Sequence, residues 1–155
     1  NYLRATRLKN QTPRCHRRIT ITLMPVTLAF DIGLAHTGVA ISYENKIAEG
    51  LTTIHTQSLD LLQQEIIDLI KRYQPDTLVF GIPQKGPLPQ HVHLLKNKLE
   101  ATLSLPIILV NEDLSTRLAT RAMIDANKGP RYRRLNNHQV AAASILQSYL
   151  DNLIE

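Results

Sequence analysis

Short apolar runs and helical repeats alternate along this chain in an order that predicts an α/β fold. Val26–Asp31 is a short apolar run closing on a carboxylate. Thr37–Tyr43 alternates around Val39 and Ile41, and Ala48–His55 carries Leu51, Thr52, Thr53 and Ile54. Tight turns separate the three runs, the second at Glu44-Asn45-Lys46, which predicts an antiparallel meander. Leu61, Leu62, Ile66, Leu69 and Ile70 then recur at helical spacing, with Ser58 placed to cap the start and Pro75 marking the exit. Thr77–Phe80 and Ile107–Val110 are continuous apolar runs of the kind found in buried parallel strands. A loop containing Pro83, Gly86, Pro87 and Pro89 leads into a helix through Val92, Leu95, Leu99 and Leu103. Ser115 can cap a helix containing Leu118, Ala122 and Met123, residues 127–134 form a polar loop, and a last helix spans about Asn137 to Leu153. The order β-β-β-α-β-α-β-α-α predicts a mixed five-stranded sheet with helices on both faces. No internal repeat or low-complexity tract is present.

Composition narrows the class. At 155 residues the chain has room for one domain, which excludes two-domain dehydrogenases and large motors. One Cys cannot form an internal disulfide, which fits a reducing, cytoplasmic setting. The net charge of +5 suggests an anionic partner. That excess is local, however. Residues 1–23 hold Arg4, Arg7, Lys9, Arg14, Arg17 and Arg18 and no acid, leaving 12 basic and 13 acidic residues from Met24 onward, a net of −1. Residues 1–23 therefore read as a basic leader, disordered or non-native, and 24–155 as the working domain. A secretory reading would cleave away the first core strand, and residues 19–30 are too short and too Pro-broken to span a membrane.

Four groups can carry chemistry. Asp31-Ile32-Gly33, with Gly38, places a carboxylate at a strand end, where it can bind a divalent cation, and the glycines permit close backbone or phosphate approach. Alternatively, Asp31 simply caps a turn. Glu112 and Asp113 follow the strand Ile107–Val110, where ligands bind in α/β sheets. They point to different sides, so one reaches the site, and Asp113 suits a helix cap. Lys128, Arg131, Tyr132, Arg133 and Arg134 crowd cations and an aromatic ring into an acid-free loop suited to phosphates and bases. A solvated basic loop is the plain alternative. His138 opens the last helix on the face shared by Ala141, Ala142, Ile145 and Tyr149, as a structural residue or as a metal ligand.

Taken together, Phe30-Asp31-Ile32-Gly33, Gly38-Val39-Ala40, Gly81-Ile82-Pro83, Glu112 with Leu114-Ser115-Thr116, and Ala141-Ala142 with Ile145-Leu146-Gln147-Ser148-Tyr149-Leu150 resemble the YqgF/RuvX family over about residues 25–152. Individually the motifs are short; their order and spacing are specific. The resemblance implies an RNase H-like fold and a Mg²⁺- or Mn²⁺-dependent nuclease that processes pre-16S rRNA or resolves Holliday junctions. Water would be the nucleophile, leaving a 5′-phosphate.

The family's first Asp matches Asp31 and its Glu matches Glu112, while its third acid falls on His138. His36 stands where the family carries Arg, and Asn111 and Asp113 replace an Asp and an Arg. With Asp31, Glu112 and His138 as metal ligands, exchanging a carboxylate for imidazole removes a negative charge and favours Mn²⁺. Lys85, Lys128, Arg131, Arg133 and Arg134 would contact the phosphate backbone and Tyr132 would stack on a base. The expected partner is nucleic acid, either rRNA precursor or branched DNA, bound by a monomer or homodimer away from membranes. The rival reading is a nucleic-acid-binding protein with impaired catalysis.

Overall fold

The computed structural model describes residues 24–84, 86–111 and 137–154. The segment expected to be a basic leader (1–23), Lys85, Glu112, the helix expected after Ser115 and the expected cationic loop with Lys128, Arg131, Tyr132, Arg133 and Arg134 lie outside the described residues.

Three strands, β1 (Val26–Ile32), β2 (His36–Tyr43) and β3 (Glu49–His55), form the expected meander. The turn after β2 places Glu44 and Asn45 at φ 59° and 53°, and Lys46 N–H donates back to the Tyr43 carbonyl at 3.4 Å. Helix α1 (Leu59–Tyr73), strand β4 (Thr77–Ile82), helix α2 (Leu88–Glu100), strand β5 (Ile107–Asn111) and helix α3 (Asn137–Asn152) follow. The sheet runs β3-β2-β1-β4-β5, antiparallel on the meander side and parallel from β1 through β4 to β5. The mixed five-stranded sheet expected from the apolar pattern is therefore present.

Strand alternation divides the core. Leu28, Phe30, Val39, Ile41, Leu78 and Phe80 join Leu62 and Ile66 of α1 and Val92, Leu95 and Leu99 of α2 in one apolar cluster. Phe30 and Phe80 meet edge to face there, with ring centroids 5.4 Å apart. The intervening residues Ala29, Ala40 and Val79 pack on the opposite face against Ala142, Ala143, Ile145, Leu146 and Leu150 of α3. Helices thus cover both faces.

Two boundaries differ from expectation. Pro89 sits inside α2, whose first residue is Leu88, because the first turn of a helix uses no proline N–H. At its other end α2 stops at Glu100, and Leu103 packs against the core from beyond the helix. The buried surface of α3 is broader than a single stripe: Val140 through Leu146 are all buried, whereas His138 and Tyr149 are only half-buried. Small side chains at 141–144 let this helix lie close to the sheet.

The α1 start follows the expected cap. Ser58 has extended backbone, φ −90° and ψ 124°, and its hydroxyl accepts from Leu61 N–H at 3.3 Å. Ser58→Ala should lower stability by about 1 kcal/mol through the lost cap. Urea unfolding should show a lower midpoint at unchanged slope; an unchanged midpoint would mean that the cap contributes nothing.

Candidate functional site

The carboxyl ends of β1, β4 and β5 share one edge of the sheet with the start of β2 and the end of β3. Chemistry-bearing side chains gather there. Asp31 is the penultimate residue of β1 and half-buried. Its neighbours Phe30 and Ile32 belong to the core beneath α1 and α2, so alternation turns Asp31 to the face covered by α3. Across the ladder, Asp31 pairs with Gly38.

Gly38 explains how α3 reaches this carboxylate. A Cβ added at Gly38 would stand 1.9 Å from the His138 carbonyl oxygen, and one added at Gly50 would stand 2.9 Å from Gln139 Cβ. The two glycines, on adjacent strands, form a bare strip on which the first turn of α3 rests. Gln147 fixes the helix further along by accepting from Ala48 N–H at 3.1 Å. The hairpin between β1 and β2 is equally tight: Gly33 N–H donates to the His36 carbonyl at 3.1 Å, and a Cβ at Gly33 would approach that oxygen to 2.5 Å. Gly33 and Gly38 are thus required by a close backbone approach.

The first turn of α3 delivers His138 beside His36, with ring centroids 5.1 Å apart and planes tilted by 36°. His36 in turn meets His55, its register partner on β3, with Nδ1 atoms 2.8 Å apart and centroids 4.9 Å apart. His55 is a member of this cluster that the motifs of the sequence do not single out. Asp31 and His138 stand at the same end of the sheet through the Gly38 contact. Asn111 ends β5 immediately before Glu112. Glu112 itself, with Lys85, Lys128, Arg131, Tyr132, Arg133 and Arg134, lies outside the described residues.

The donor set is one carboxylate among imidazoles. Among the described residues no three His, Cys, Asp or Glu side chains form a ready-made metal cage. Oxygen from Asp31 and nitrogen from His138 are compatible with a divalent ion of the Mn²⁺ type, whereas Mg²⁺ prefers all-oxygen ligation. No described helix is long and apolar enough to cross a membrane.

A family model described as RuvX, Holliday junction resolvase, matches residues 25–152. The chain is 36% identical over 132 residues to a Moorella thermoacetica protein named "Putative pre-16S rRNA nuclease", covering 81% of this chain and 94% of that protein. A Geobacillus kaustophilus protein of the same name is 38% identical over 134 residues, covering 81% and 97%. The fold is similar to Thermus thermophilus RuvC solved with a Holliday junction substrate, at TM-score 0.59 and 14% identity over 84% of this chain and 96% of that one. It is also similar to the Fowlpox virus resolvase solved with Holliday junction DNA, at TM-score 0.55 and 15% identity over 84% and 99%. These likenesses make the fold RNase H-like.

Proposed function

The chain belongs to the RuvX Holliday junction resolvase family, and from that premise we propose that it is a metal-dependent phosphodiesterase acting on structured nucleic acid. The substrate would be precursor 16S rRNA or a four-way DNA junction, the two kinds named for its relatives and structural neighbours. One observation carries the reading: Gly38 pairs with Asp31 while seating the backbone of His138. The sheet edge and the start of α3 are thereby held together, which supports Asp31 and His138 acting in one site.

In this reading Asp31, Glu112 and His138 would hold the metal. A bound divalent ion lowers the pKa of attacking water and offsets charge developing on the phosphate. Asp31 would contribute a carboxyl group from the end of β1. His138 would contribute an imidazole nitrogen from a backbone position seated on Gly38. Lys85, Lys128, Arg131, Arg133 and Arg134 would bind the phosphate backbone, Tyr132 would stack on an unpaired base, and cleavage would leave a 5′-phosphate.

The imidazole at 138 sets the metal preference. His138→Ala should lower Mn²⁺-supported cleavage by about tenfold or more, since even outer-shell changes cost 10–100-fold at metal sites. His138→Asp should restore an oxygen donor and raise Mg²⁺-supported cleavage. Equal rates for wild type and both variants, measured on a labelled four-way junction and on precursor rRNA with each metal, would exclude His138 as a ligand.

A second reading rests on the same residue. His138 in place of an acid, with His36, Asn111 and Asp113 also departing from the family's motifs, favours a protein that binds nucleic acid with impaired catalysis. Tight binding without metal-dependent cleavage of either substrate would support it.

A further inference from the structure

The nuclease reading leaves two imidazoles without a role. His36 opens β2 and His55 closes β3; both rings are exposed and both stand at the end of the sheet that carries Asp31. Their Nδ1 atoms converge to 2.8 Å. As a hydrogen bond, this contact requires one ring to donate from Nδ1 and the other to accept there. As a chelate, the same two nitrogens point at one place in space.

We propose that His36 and His55 form a binding site for a divalent transition-metal ion of the Zn²⁺, Co²⁺ or Ni²⁺ class, distinct from the carboxylate centre at Asp31. Imidazole nitrogen is a preferred donor for these ions. Two nitrogens bound at about 2.0–2.1 Å to a tetrahedral ion lie roughly 3.3 Å apart, with ring centroids roughly 5 Å apart. The centroid separation of 4.9 Å already matches. The nitrogens need to open by only about 0.5 Å, which exposed side chains achieve by small rotations about their own bonds. On binding, the proton on the donating Nδ1 moves to Nε2 of the same ring, so both Nδ1 lone pairs face the ion.

Two further features fit an open site rather than a closed structural one. The strand backbone holds the pair rigidly, since Thr56 N–H donates to the Ala35 carbonyl at 3.0 Å just beyond the His36–His55 rung. His138, whose ring lies 5.1 Å from His36, stays with the carboxylate centre, so the His36–His55 pair leaves positions on its ion open. Those positions would accept water or a substrate phosphate oxygen, which would place a second cationic charge beside the carboxylate centre.

The test is a Co²⁺ titration of the full chain, followed by its visible ligand-field bands. In an Asp31→Asn background, which disables the carboxylate centre, about one equivalent of Co²⁺ should still bind with a nitrogen-rich spectrum. Adding His55→Ala or His36→Ala should weaken that binding about tenfold or more. Circular dichroism should stay unchanged, because both side chains are exposed. Loss of all Co²⁺ binding in Asp31→Asn, or a spectrum indifferent to His55→Ala, would overturn the proposal and leave the pair as a hydrogen bond. The nuclease reading would stand or fall separately, on cleavage.

Discussion

Gly38→Ala should both destabilise the protein and disable its site. The added methyl would stand 1.9 Å from the His138 carbonyl oxygen, well inside any contact a carbon can make. Backbone, not a flexible side chain, is on both sides, so α3 must lift from β2 by more than about 1 Å to restore ordinary packing. Overpacking of this kind costs about 3 kcal/mol. For a chain of this size that lowers the melting temperature by roughly 10 °C. The same displacement moves His138 away from Asp31, and a misplacement near 1 Å costs about 10²-fold in rate. Gly50→Ala is the useful comparison. Its Cβ would meet a side-chain carbon of Gln139 at 2.9 Å, farther from the carboxylate and more easily relieved. Differential scanning calorimetry and cleavage rates on the two variants should rank Gly38→Ala as the more damaging in both. Equal or reversed ranking would mean that α3 is not seated through Gly38.

Asp31→Asn should abolish cleavage while leaving the fold and substrate binding in place. The amide keeps the shape of the carboxyl group, and the strand around it is pinned by its register with β2. What is lost is the negative charge that would hold a divalent ion. Removing several kcal/mol of electrostatic stabilisation, about 4 kcal/mol, lowers the rate on the order of 10³-fold. Affinity for a four-way junction should hold or rise slightly, since a charge repelling phosphate has gone. Gel-shift and cleavage assays on the same preparation separate the two effects. Retained cleavage in Asp31→Asn would move the reaction away from the end of β1.

Much of this architecture is legible in the amino-acid sequence. The strand order, the Ser58 cap and the placement of Asp31 at a strand end follow from period-two alternation, helical spacing and turn residues, which are local properties. The exact face of α3 is less legible. Val140 through Leu146 are buried without a gap, so the expected stripe through His138 and Tyr149 is too narrow. Helical periodicity fades when small residues let a helix sink against a sheet.

His55 is not legible at all. A two-residue turn closing Tyr43 against Lys46, extended without slippage, sets His36 opposite Thr53. The ladder instead slides, with an irregularity between Val39 and Ala40, until His36 pairs with His55. The offset accumulates in one-residue steps, since Ala40 pairs with Gly50 but Val39 with Thr52, and no turn or bulge residue in the run marks where the steps fall. The His36–His55–His138 cluster is therefore a product of register and helix seating, each set by long-range contacts.

If the sheet edge carrying Asp31 hydrolyses phosphodiester bonds in structured nucleic acid with a divalent metal, the wild-type chain alone will show it. The chain is incubated with precursor 16S rRNA and, separately, with a four-way DNA junction, in Mg²⁺, in Mn²⁺ and in chelator. The expected result is cleavage of at least one substrate leaving a 5′-phosphate, faster with Mn²⁺ than with Mg²⁺, and none in chelator. Binding of both substrates with no cleavage under either metal would contradict it.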